Sequence, residues 1–123
     1  MKFDFNIGKV NRPIMSISKH CFTFNKEAIE LLGSPPYISI GIDKESKKLA
    51  VKAMNDKSFD QPVYPFAKTH GKQSAITLSA TEVRSEAIKL MSEQPQTAGV
   101  SFLFNLDKAT SFGIVDLSAG QPK

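Results

Sequence analysis

Phe3, Phe5 and Ile7 occupy alternate positions of KFDFNI, the period-two pattern of a strand with one buried face. Pro13 interrupts it, and Ile14, Met15 and Ile17 resume an extended run. The apolar phase then flips, from odd positions at Met15 and Ile17 to even positions at Phe22 and Phe24. A one-residue slip sends every side chain to the opposite face, so the flip requires a bulge or turn. Ser18 to Cys21 is the expected place, with IMSIS and FTF as a hairpin. Asn25 predicts a helix N-cap, with Glu27 in the first turn near the positive end of the dipole. Ala28, Leu31 and Leu32 follow at i, i+3 and i+4, and Gly33 is expected to stop the helix as a left-handed C-cap. Beyond Pro35 and Pro36, Ile38, Ile40 and Ile42 alternate, DKESKK turns, and Leu49, Val51 and Ala53 alternate again. That predicts a second hairpin with one face buried.

From Asn55 to Ser74 the composition turns polar and proline-bearing, which predicts a connection with a short edge strand around residues 63 to 67. AITL (75–78) reads as a strand. Ser79 with Glu82 predicts a capping box, and Val83, Ala87, Leu90 and Met91 form a helical stripe that ends before Pro95. Val100, Phe102, Phe104 and Leu106 alternate, DKATS turns, and Phe112 and Ile114 begin a return strand.

KEAIELL (26–32) matches SEAIKLM (85–91), and YISIGIDKESKKLAV matches GVSFLFNLDKATSFGIV as strand, charged turn, strand. The order of elements therefore predicts an internal duplication of a strand–helix–hairpin unit. A unit too small to close a core alone buries its sheet against its twin. The expected fold is α+β, mainly β: one domain of two repeats, about 1–54 and 63–117, joined by the connection 55–74. It would form a pseudo-twofold barrel or sandwich with two short helices.

CFTF, NKEAIELLG, ISIGI, DKESKK and LAVKA resemble the swapped-hairpin AbrB, MazE and MraZ regulators. Their pattern is strand, two-turn helix ending in Leu-Gly, strand, acidic turn, strand. The resemblance spans residues 21–54 and returns more weakly over 75–117. It implies a dimer or pseudo-dimer that binds duplex DNA through basic residues on the sheet and loops, and MazE-like members also hold a protein partner. Where the family carries Gly-Arg before the second strand and a proline after it, this chain has His20-Cys21 and Asn25. The family's helix begins with arginines, and here Glu27 and Glu30 stand instead. The basic positions left to contact DNA are Lys9, Arg12 and Lys19 on the first hairpin, and Lys68 and Lys72 before the second.

Charge agrees with that placement. The chain of 123 residues carries a formal +4. Lys2, Lys9, Arg12, Lys19 and Lys26, against Asp4 alone, account for all of it, and residues 27–123 balance to zero. A basic arm of this kind suits phosphates. Only Arg12 and Arg84 supply guanidinium groups, which leaves little material for bidentate readout of guanine. Tyr64 and Phe66 beside Lys68 offer a stacking alternative for single-stranded bases.

Catalytic patterns are missing from the sequence. His20 and Cys21 are adjacent, and adjacent strand residues point to opposite faces, so they do not make a nucleophile–base pair. His20 and His70 have no patterned partners for zinc. Asp43/Glu45 and Glu27/Glu30 read as a solvated turn and helix surface. Phosphate-cradling, dinucleotide and nucleophile-elbow motifs are absent from the sequence. No apolar run reaches the ~18 residues of a membrane helix. The expectation is a cytoplasmic protein that is not an enzyme and uses no cofactor or metal. Two readings stay open: a nucleic-acid-binding protein, for duplex or single-stranded DNA, or an interaction module whose partner is another protein or itself.

Overall fold

A computed structural model describes residues 1–5, 12–56, 60–66, 75–95 and 99–122. The phase flip is resolved as expected. Strand β1 (Ile14–Ile17) and strand β2 (Phe22–Asn25) form an antiparallel hairpin with Met15 opposite Phe24 and Ile17 opposite Phe22. All four of these side chains are fully buried, and Ser18 to Cys21 supply the turn, closed by Ser18 N–H donating to the Cys21 carbonyl at 2.9 Å.

Helix α1 (Lys26–Leu31) follows directly because Asn25 ends the strand and caps the helix. Its side-chain oxygen accepts from Ala28 N–H at 2.9 Å. At the other end Gly33, at φ +81°, lets Ser34 N–H reach the Ile29 carbonyl and Gly33 N–H the Glu30 carbonyl. This double closure is the Schellman arrangement. Strands β3 (Tyr37–Asp43) and β4 (Lys48–Met54) pair along seven residues, as the alternation predicts. Strand β5 (Tyr64–Pro65) adds to the β3 edge.

Strand β6 (Ala75–Leu78) pairs with β2, and helix α2 (Thr81–Leu90) follows. The expected capping box does not form. Ala80, in left-handed geometry, is the N-cap, and the Ser79 carbonyl accepts from Arg84 Nη1 instead. Arg84 lies on the buried side of α2 next to the apolar stripe, a polar intrusion that the stripe does not predict.

The second hairpin differs more. Strand β7 (Val100–Leu103) pairs with β1 in one sheet, and strands β8 (Asn105–Leu106) and β9 (Gly113–Asp116) form a hairpin in the other. Phe104 is the crossing point: its N–H donates to the Pro13 carbonyl at 3.0 Å while its ring enters the core. Gly113 makes room for that ring, since a Cβ there would overlap Phe104. A short 3-10 turn, Leu117–Ala119, leads to strand β10 (Gln121–Pro122) beside β7.

The fold is thus α+β and mainly β, with two antiparallel five-stranded sheets ordered β10-β7-β1-β2-β6 and β5-β3-β4-β9-β8. One cluster of buried apolar side chains serves both, with Phe24 edge-on to Phe66 and Phe104 at 5.0 and 6.0 Å between centroids. Among the described residues no sheet closes into a barrel. The expected duplication is not displayed, because β3 and β4 are direct partners while β7 and β9 lie in different sheets. The phase of residues 100–106 looks like one strand, but the chain changes sheets in the middle of it. The expected strand over 2–7 is absent from residues 1–5, and its remainder, Ile7 included, falls outside the described residues.

Candidate functional site

Core-facing residues fix what each sheet shows to solvent, because alternate residues of a strand point to opposite faces. In the first sheet Met15, Ile17, Phe22, Phe24, Ile76, Val100 and Phe102 face the core. The intervening positions form a transverse row across all five strands: Gln121, Ser101, Ser16, Thr23 and Thr77, each in register with the next. Ser16 and Ser101 hydroxyls lie 3.3 Å apart, and Thr23 and Thr77 hydroxyls 3.5 Å apart. Ser16, at the centre, is walled in by these neighbours and only 8% exposed. The other outward positions are Ile14, Leu103, Asn25 and Ala75. No outward position of these strands carries a carboxylate.

Arg12 and Lys19 frame this face. Arg12 is exposed at the start of β1, and its carbonyl accepts from Asn25 Nδ2 at 2.8 Å. Lys19 is exposed on the β1–β2 turn, which Ser18 organises by accepting from Cys21 N–H at 3.2 Å. The two residues stand beyond opposite ends of β1. Lys9, Lys68 and Lys72 lie outside the described residues, as does His70. His20 is exposed on the same turn, and Cys21, half-buried, lies 3.4 Å from the Ser18 hydroxyl and 3.8 Å from that of Thr23. Of the stacking pair, Phe66 is fully buried in the core and Tyr64 half-buried, which removes Phe66 as a platform for bases.

The second sheet presents a different outer face. Asp43, Lys48 and Asp116 form one row, Gly41, Ala50 and Ile114 the next, and Ser39 and Lys52 another. The Ser46 hydroxyl, the Ser46 and Glu45 N–H groups and, least, Lys48 hold the Asp43 carboxyl below its ordinary range. Asp116 is lowered in the same way, first by the Ser118 hydroxyl at 2.6 Å and then by Ser118 N–H. Burial, with a smaller contribution from Glu82, pushes the Tyr64 phenol up. Because Gly41 and Ala50 are small, the face is hollowed into shallow depressions of about 330 and 270 Å³, and a third of about 440 Å³ lies between Lys48, Ile114 and β8. The first shares Gly41 and Ala50 with the second, and Lys48 and Ile114 with the third.

The sequence reading missed the hydroxyl row and Lys48 and Lys52. Ser16, Thr23, Thr77 and Ser101 do alternate with apolar residues, but only strand order reveals that they align. Among the described residues no group of three His, Cys, Asp or Glu is placed to hold a metal, and no helix is long and apolar enough to cross a membrane. No protein-family model, curated protein or solved structure matches the chain.

Proposed function

We propose that this chain is a non-enzymatic nucleic-acid-binding protein of the cytoplasm that lays the outer face of its first sheet along phosphates. The observation that carries the reading is the contrast between the two outer faces. One has hydroxyl and amide side chains, no outward strand carboxylate and Arg12 and Lys19 at its ends; the other alternates Lys48 with Asp43 and Asp116. Ser, Thr, Asn and Gln contact phosphates together with Arg and Lys, and such contacts set position without reading sequence. The likeness of residues 21–54 to AbrB-type regulators supports the same reading and makes duplex DNA the first ligand to test.

The test is fluorescence anisotropy with random duplex and single-stranded DNA at about 50 and 200 mM salt, where phosphate contacts give a steep loss of affinity. Replacing Arg12 and Lys19 by alanine is expected to weaken binding to all sequences alike and to reduce the salt slope by about one for each phosphate no longer neutralised. Thr77→Glu, which places a carboxylate on the exposed end of the hydroxyl row, is expected to weaken binding at least as much. Absence of binding at 10 µM-scale protein in low salt, or indifference to all three substitutions, overturns the reading.

The interaction-module reading is favoured by a separate observation, the exposed aromatic residues of the N-terminal segment. Phe3 and Phe5 are 71% and 90% exposed, with ring centroids 6.4 Å apart.

A further inference from the structure

We infer that two copies of this chain pair through β6, edge strand to edge strand, about a two-fold axis that runs between their two Thr77 residues. The inference does not depend on the nucleic-acid reading.

The two sheets have four edge strands, and three of them are blunted. Strand β10 ends in Pro122 and β5 in Pro65, residues with no N–H to donate, and each strand is two residues long. Strand β8 is also two residues long and runs into Asp107 and Lys108. Short strands, prolines and charges are the devices that keep sheet edges from pairing. Strand β6 has none of them. Its sequence, AITL, is four residues long, uncharged and centred on the β-branched pair Ile76 and Thr77. It pairs with β2 on one side, and among the described residues no backbone partner meets it on the other.

Symmetry chooses the register. Residues directly opposite in an antiparallel pair lie on the same face, so a two-fold axis perpendicular to the sheet runs between two copies of one residue. Placed at Thr77, the axis sets Ile76 of each copy opposite Leu78 of the other. Both lie on the core side, where Leu78 is only half-buried. Placed at Ile76, it pairs Ala75 with Thr77 and leaves Leu78 uncovered. The Thr77 register therefore uses the full length of β6 and covers Leu78. It also sets the two Thr77 side chains directly opposite, with Cβ atoms about 4.5–5.5 Å apart. The hydroxyl rows of the two copies then meet end to end across ten strands.

A four-residue edge is a small interface, of the class below about 1,200 Å² that associates weakly and reversibly. The pairing is isologous and uses up both β6 edges, so assembly stops at two copies.

The experiment is sedimentation velocity on the full chain without nucleic acid, from about 10 µM to 1 mM. The proteins are the wild type, Thr77→Glu, Thr77→Lys and Gln121→Glu. Thr77 and Gln121 stand at opposite ends of the same exposed row, so circular dichroism and thermal melting should match the wild type for all three variants. The wild type is expected to dimerise within this range. Thr77→Glu and Thr77→Lys each set like charges face to face and should dissociate at least tenfold more readily. An equimolar mixture of the two should restore a hetero-dimer, because residue 77 opposes only itself in this register. Gln121→Glu, remote from the axis, should dimerise as the wild type does. A wild type that stays monomeric at 1 mM overturns the inference. So does a dimer indifferent to charge at residue 77, a mixture that associates no better than its components, or a dimer weakened as much by Gln121→Glu.

Discussion

The side chain of Asn25 holds the backbone of Arg12, donating from Nδ2 to its carbonyl at 2.8 Å. The same amide accepts through Oδ1 from Ile14 N–H at 3.0 Å and from Ala28 N–H at 2.9 Å. One residue therefore ties the entry of β1, the hairpin and the start of α1 together, and it sets where the Arg12 cation emerges.

Asn25→Ala should cost about 1–2 kcal/mol for the lost cap, and more once the Ile14 and Arg12 partners are counted. Asn25→Asp retains the acceptor for Ala28 and Ile14 but turns a carboxylate oxygen toward the Arg12 carbonyl, so it should recover only part of the loss. Urea unfolding of both variants separates cap from clamp. Equal stability of Asn25→Asp and the wild type would show that the Arg12 bond contributes nothing.

Gly113→Ala places a methyl group where the Phe104 ring lies, at the point where the chain changes sheets. Overpacking of this kind costs about 1–3 kcal/mol. Adding Phe104→Leu should relieve the clash, so thermal or urea unfolding should find the double variant less unstable than the sum of the two single ones.

Arg84 is 8% exposed; its Nη1 donates to the Ser79 carbonyl and its Nε has no partner. No carboxylate pairs with it among the described residues. An unpaired buried donor carries a desolvation cost, and an apolar residue of similar volume avoids it. Arg84→Met is therefore expected to leave the protein as stable or raise its melting temperature, whereas Arg84→Ala, which opens a cavity, should lower it.

Asp43 and Asp116 titrate below their ordinary value of 3.8 because serine hydroxyl and N–H groups stabilise the charged form. A depressed folded-state pKa contributes stability above the unfolded value that is lost as pH falls through the folded one. Their contribution is therefore complete at neutral pH and is lost progressively as pH falls below about 4 and through the folded values. Ser118→Ala, which removes the first cause at Asp116, should flatten this acid limb. Urea midpoints at pH 6 and pH 3 make the comparison.

Much of the architecture was written in local patterns. The flip between Ile17 and Phe22, the Asn25 cap, the Gly33 stop and the β3–β4 alternation each depend on neighbours within a few residues, and each appears in the structure. Most of what failed depended on distant partners; the α2 cap failed locally, five residues from Arg84. The alternation of Val100, Phe102, Phe104 and Leu106 has one phase, yet Pro13 draws Phe104 N–H to the first sheet while Gly113 admits its ring, and the strand divides there. At α2, Ser79 and Glu82 have the spacing of a box, but the Arg84 guanidinium takes the Ser79 carbonyl and Ala80 becomes the cap. The hydroxyl row was illegible for the same reason: Ser16 and Ser101 are 85 residues apart, and nothing local to either records the other.

That separation also orders events during synthesis. Residues 14–25 hold both partners of the β1–β2 pairing, but the other edge of β1 is paired only by β7. At about 5–20 residues per second on the ribosome, the 85 residues between Ser16 and Ser101 take roughly 4–17 s to appear. For that interval β1 is a bare strand edge on the nascent chain, a template for pairing with other chains. Its four-residue length is a brake on such encounters; β4, at the centre of the second sheet, likewise waits for β9 to cover its other edge.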